Sequence, residues 1–185
     1  MIGSHARPGW LRASAQVDLA QLRRSIRPVI RSQLADRADR TELRRWARRA
    51  GLYVVIDRDG FFALAPEPSS ARRALRIDAR PGRHVVALGR VLGYPICCCR
   101  AAARCEEEGL DAWAKVISSR RFIGLFRLIR PDGYLAGTSS ISHVPCSPRC
   151  TASLRMAQAL DSGVGDPRAK SVRAPRGMRG SARAA

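Results

Sequence analysis

Lysine is nearly missing from this chain. Of its 34 basic residues only Lys115 and Lys170 are lysine, and the rest are arginine. So lopsided a ratio, beside heavy use of Ala and Gly, reads as coding bias from a GC-rich genome. The abundance of arginine therefore does not by itself mark a phosphate-binding surface. Long apolar runs are lacking too. No stretch approaches the roughly 20 apolar residues that a helical membrane span needs. Residues 1–10 include Arg7, Pro8 and Gly9 but no apolar core segment, which argues against a secretory signal and points to the cytoplasm. No Gly-x-Gly-x-x-Gly, no Walker loop and no Gly-x-Ser-x-Gly occurs, which removes the common dinucleotide, nucleotide-triphosphate and serine-hydrolase signatures.

What remains is an ordinary globular composition. A chain of 185 residues, 45% of them hydrophobic, is long enough to bury a core without disulfides. The formal net charge of +19 invites a nucleic-acid reading, but the charge is uneven. Residues 1–50 hold 12 basic and 4 acidic side chains, whereas residues 101–150 hold 7 and 5. A basic surface of this kind binds RNA or DNA weakly through phosphates, and the Arg-rich segment 23–49 and the C-terminal tail are its candidates.

The pattern along the chain predicts a mostly helical α+β fold. Residues 1–14 read as disordered. An N-terminal module over residues 15–66 starts with a helix over 17–34, carried by Leu19, Leu22, Ile26, Val29 and Ile30 and interrupted by Pro28. A second helix over 42–50 has Thr41 as N-cap and Gly51 as its stop. Two β-prone runs, 52–56 and 61–64, flank Asp57-Arg58-Asp59-Gly60 and make a β-hairpin. This module reads as a structural lobe or as a small winged-helix-like or substrate-recognition unit. Residues 66–70 read as a linker and 72–82 as a polar stretch. A helical cysteine-rich domain over 67–161 follows, with helices over 97–108, 110–118, 122–129 and 148–160. Residues 162–185 read as a basic disordered tail.

The chemistry concentrates in two segments. One is Leu92-Gly93-Tyr94-Pro95-Ile96-Cys97-Cys98-Cys99; the other is Ser142-His143-Val144-Pro145-Cys146-Ser147-Pro148-Arg149-Cys150. Six cysteines in a reducing compartment point to metal or thiol chemistry rather than a disulfide framework. Pro95 and Pro148 each suit a first helical position, with Ser147 as N-cap of the second helix. Cys97 and Cys150 then fall at third positions and Cys98 at a fourth. Unpaired backbone N–H groups and the positive end of the helix dipole there favour thiolates. A zinc site would take Cys146, Cys150, His143 and one of Cys97 or Cys98, because neighbouring side chains on a helix diverge by about 100°. An iron–sulfur cluster uses adjacent cysteines more easily and is placed ahead of zinc. His143 stands as ligand or acid–base group against an ordinary loop histidine. Cys99 and Cys105 read as small buried hydrophobes; Cys105 is roughly 10 Å along a helix from Cys98 and cannot share its ion.

These two segments resemble the domain-of-unknown-function family 483, whose pattern looks like Leu-Gly-Tyr-Pro-x-Cys-Cys followed by His-x-Pro-Cys-x-x-x-Cys. The resemblance covers residues 84–160 and implies that Cys97, Cys98, Cys146 and Cys150 form the functional set. It implies no reaction. The expectation is thus a metal-binding protein, iron–sulfur or zinc, with a redox role on a small-molecule or macromolecular substrate. The alternatives are an Arg-rich nucleic-acid-binding accessory protein and a thiol–disulfide redox protein.

Overall fold

The computed structural model describes residues 10–35, 40–80, 84–105, 107–119 and 139–162. The expected helix at 122–129 and the tail beyond residue 162 lie outside them.

A three-residue 3₁₀ turn, Ala13–Ala15, leads into α1, Gln16–Arg23. Contrary to the expected disorder through residue 14, Trp10 and Leu11 are buried. Trp10 stacks edge-on against Trp46 and Phe62. The first helix also ends far short of residue 34. Ser25, at φ 55°, closes α1, with its N–H on the Leu22 carbonyl and the Ile26 N–H on the Gln21 carbonyl. This is the two-bond stop usually built on glycine. Pro28 then bars a restart, because it lacks an N–H and holds the residue before it out of helical space. The β-branched Val29 and Ile30 go instead into a strand, β1, Ile30–Gln33.

Helix α2, Arg40–Arg49, turns Leu43 and Ala47 inward and its arginines outward. Thr41 lies within the helix rather than capping it, but Gly51 (φ 67°) stops it as expected. The hairpin forms as read: β2, Tyr53–Ile56, and β3, Phe61–Ala65, pair antiparallel. The Asp57 side chain accepts from the Asp59 and Phe61 N–H groups across the turn. What the hairpin reading lacked is the third strand. β1 pairs with β3, giving the order β1-β3-β2, so β3 is central and covered on both faces. Phe62 and Leu64 meet α1, α2 and Trp10 on one side. Ala63 and Ala65 meet Ala71, Ala74 and Leu75 on the other.

Those last residues belong to α3, Pro68–Asp78, a helix where the sequence reading had a linker and a polar stretch. It packs on β2 and β3. Helix α4, Val85–Val91, and helix α5, Ile96–Arg104, pack on each other beside it. Helix α6, Glu107–Ser119, and helix α7, Thr151–Asp161, contribute Ile117 and Ala157 to a third cluster around Ile141. The molecule is the mostly helical α+β protein expected. Among the described residues no helix is long and apolar enough to cross a membrane.

Candidate metal centre

The elbow between α4 and α5 sets the first two sulfurs. Gly93 sits at φ 80°. Its N–H bonds the Arg90 carbonyl, and the Tyr94 N–H bonds the Gly89 carbonyl, the double closure of a Schellman stop. Pro95 then caps α5, and Cys98 and Cys99 both donate their N–H groups to its carbonyl. Cys97 and Cys98 are therefore the second and third residues of α5, one position earlier than expected.

The second arm departs further from expectation. Ser147 does not cap a helix. Residues 147–150 form a turn closed by Cys150 N–H on the Ser147 carbonyl. Cys150 is itself the N-cap of α7, with extended backbone (φ −62°, ψ 101°). The physical outcome is similar, because both arms still bring sulfur to the first turn of a helix, where amide N–H groups are unpaired.

The two arms converge. Cys150 Sγ lies 3.6 Å from Cys98 Sγ and 3.7 Å from Cys97 Sγ, and Cys97 and Cys98 are 3.9 Å apart. With Cys146, all four sulfurs lie within 4.8 Å of one another. Both adjacent sulfurs, Cys97 and Cys98, stand in this group, where the sequence reading placed one of them at a zinc site. At the start of α5 the two side chains converge on Cys150 from the facing arm, despite the angle between them. No disulfide joins any of the six cysteines.

His143 is not among the clustered ligand atoms; it stands one layer behind them. Its Nε2 is 2.8 Å from Ser153 Oγ. That oxygen is 3.3 Å from both Cys98 Sγ and Cys150 Sγ. The His143 ring is buried and its Nδ1 has no partner among the described residues. Burial first, and the Arg27 charge second, push its pKa down to about 3, so the ring is neutral near pH 7. Behind it lie Tyr94, with ring centres 5.1 Å apart, and Arg27, 4.4 Å over the Tyr94 ring. Arg27 is fully buried. It pairs with Asp18 and donates to Ser142 Oγ at 2.7 Å and to the Leu92 carbonyl at 2.8 Å.

The sulfurs differ in acidity. Desolvation opposes a thiolate at Cys150. The Ser153 hydroxyl and amide, and the Cys98 and Cys146 thiols, outweigh it and bring the group down to about 6. Burial pushes Cys98 well above the usual thiol range. Burial, then the thiols and charges of Cys150 and Cys97, push Cys146 up to about 11. One negative charge thus gathers on Cys150, while the Cys98 and Cys146 thiols hold protons that a cation would displace. Cys99 takes no part. It is buried, with its thiol toward the Tyr94 carbonyl at 3.7 Å. Cys105 also lies outside the cluster.

Ser153, Tyr94, Arg27 and Asp18 were not singled out as site residues from sequence. Ser153 carried a usable signal, three residues past Cys150 and so one turn along the same helix. Arg27 carried none, being one arginine among many. Comparison with family models, with curated proteins and with solved structures finds no match for the chain.

Proposed function

We propose that this chain is a metal-binding protein that holds a single tetrahedral ion, zinc by its ligand set, on Cys97, Cys98, Cys146 and Cys150. The supporting observation is the sulfur spacing. Zinc–sulfur bonds of about 2.3 Å arranged tetrahedrally put neighbouring sulfurs about 3.8 Å apart, and the three short pairs here measure 3.6, 3.7 and 3.9 Å. An iron–sulfur cluster hangs its cysteines on different irons and asks for wider spacing than one ion does. Four protein ligands leave no open position, which is the pattern of a structural site. Such an ion would clamp the start of α5 to the turn before α7, across the 48 residues separating Cys98 from Cys146. The Cys146 N–H directed at Cys98 Sγ, 3.4 Å away, and the Ser153 hydroxyl would offset the thiolate charge. A reducing, cytoplasmic setting belongs to this reading. So does the likeness to the domain-of-unknown-function family 483, which rests on the same four cysteines.

The test is metal and acid-labile sulfide analysis with a visible spectrum, on protein purified without oxygen. Stoichiometric, colourless zinc is expected, and Cys146→Ser and Cys150→Ser should each abolish it. Full metal content in both variants sinks the reading. Iron with sulfide and a band near ~400 nm moves the site to a cluster with a redox role. A metal-free protein whose thiol count falls on oxidation leaves the thiol–disulfide alternative.

A second reading, nucleic-acid binding, is favoured by the outer face of α2. Arg44, Arg45, Arg48 and Arg49 are all exposed there, and none is ion-paired among the described residues. A steep loss of binding with added salt together with a preference for one nucleic acid would support it.

A further inference from the structure

The four sulfurs are not equivalent, and the inequality has a direction. Cys98 and Cys150 are 2% and 6% exposed. Both face the Ser153 hydroxyl, and Cys98 also receives the Cys146 amide. Cys97 is exposed. Its sulfur meets only the sulfurs of its neighbours, with no hydroxyl or amide donor among the described residues. The residue before it, Ile96, is 41% exposed, and Arg100, one turn along α5, is exposed as well. Among the described residues the approach to Cys97 is therefore open, while the opposite side of the cluster is closed by α7.

A thiolate bound to a metal keeps a lone pair that can attack carbon. Two things quiet it: hydrogen bonds that draw charge off the sulfur, and protein that blocks the line of approach. Cys98 and Cys150 have both and Cys97 has neither. Cys146 is half-buried and holds an intermediate position.

We propose that Cys97 is an electrophile-accepting sulfur, and that its alkylation by a soft carbon electrophile opens the metal centre. This rests on the metal-binding reading above. In the step itself the Cys97 sulfur forms a bond to the electrophilic carbon as the bond from that carbon to its leaving group breaks. The leaving group departs with the electron pair. The metal-bound thiolate carries no proton to be lost, and nothing is oxidised or reduced. The product is a neutral thioether, a far poorer ligand than a thiolate, so the ion retains three anionic ligands and is released. One modification at the exposed edge is thereby converted into loss of the clamp between α5 and α7.

The probe is iodoacetamide, whose leaving group is iodide. Zinc-loaded protein carrying Cys105→Ser, which removes a thiol outside the cluster, is treated with less than one equivalent at pH 6.5. At that pH an ordinary thiol of pKa about 8.5 is only about one per cent ionised. Adducts are mapped by peptide mass spectrometry while a chromophoric chelator records released zinc. The expected result is at least about tenfold more adduct on Cys97 than on Cys98 or Cys150, with zinc release tracking adduct formation. Cys97→Ser in the same background should lose the fast alkylation phase. Protein that binds no metal before reagent is added overturns the metal-binding reading, and this inference with it. Full zinc with adducts first on Cys146, or spread evenly, overturns the inference alone, as does alkylation of Cys97 without zinc release.

Discussion

Ser153 has one proton to give and three neighbours that could use it. Once a metal has taken the protons from the sulfurs, the hydroxyl hydrogen must point at Cys98 or Cys150. Its oxygen must then accept from His143 Nε2–H. That fixes the neutral imidazole in one tautomer and leaves Nδ1 as a bare acceptor, the atom found buried without a partner among the described residues. A protonated ring would instead bury an N–H with nothing to receive it. This is the physical content of the low pKa, about 3 against an ordinary 6.5. The sign follows. The unfolded chain takes up the proton near pH 6.5 and the folded chain resists it until about 3, so stability present above 6.5 drains away as pH falls through that window. The slope approaches about 1.4 kcal/mol per pH unit. Between pH 7 and pH 5, wild type should lose about 2 kcal/mol more than His143→Gln in urea melts. Equal losses would mean that the ring does not resist protonation in the folded state.

Among the elements, the α4–α5 elbow shows what sequence patterns reveal and what they hide. Leu-Gly-Tyr-Pro was legible as a stop followed by a start, because glycine and proline act through their own backbone restrictions. The hairpin and the Gly51 stop were legible for the same reason. Helix α3 was not: its buried face is mainly Ala71, Ala74 and Leu75, and alanine gives a helix no hydrophobic stripe to read. Strand β1 was missed because its apolar residues also fit a helical period, and only Ser25 at positive φ, a conformation rare for serine, ends the helix before them. The cysteine set was readable as a set, but the registers of its helix starts were off by one in α5 and by one turn in α7. Gly93 tests the elbow. A Cβ there would meet Pro28 Cδ at 2.6 Å as well as a φ of +80°, whereas at Gly51 (φ +67°) nothing lies within 4 Å. Gly51→Ala should therefore cost about 1 kcal/mol, from backbone strain alone. Gly93→Ala should cost that plus about 1–3 kcal/mol of overpacking, and should weaken binding of the proposed metal ion besides. Equal costs in denaturant titrations would show that Pro28 yields freely and that the elbow is not held against the segment between α1 and β1.

Across the whole molecule, one buried arginine joins the N-terminal module to the cysteine half. Arg27 follows α1, yet it holds the Leu92 carbonyl at the elbow and Ser142 at the start of the second cysteine segment. Gln21, from α1, reaches the Ser140 carbonyl beside it at 2.7 Å. Burial raises the Asp18 carboxyl against the pull of Arg27, so the pair is not a simple source of stability; what it supplies is a fixed position for two loops that carry the sulfurs. Arg27→Met should therefore cost about 3–5 kcal/mol, since it strands Asp18 in the interior. The deficit should grow as pH rises, because the stranded carboxyl escapes its penalty by taking up a proton, which is easier at low pH. Replacing both partners, as Asp18→Leu with Arg27→Met, removes the stranded charge and should recover most of the stability. It should not recover affinity for the proposed metal ion, because the bonds to Leu92 and Ser142 stay lost. Chelator competition on the double variant reads that separation directly. Affinity returning together with stability would mean that Arg27 serves the fold alone and has no part in placing the sulfurs.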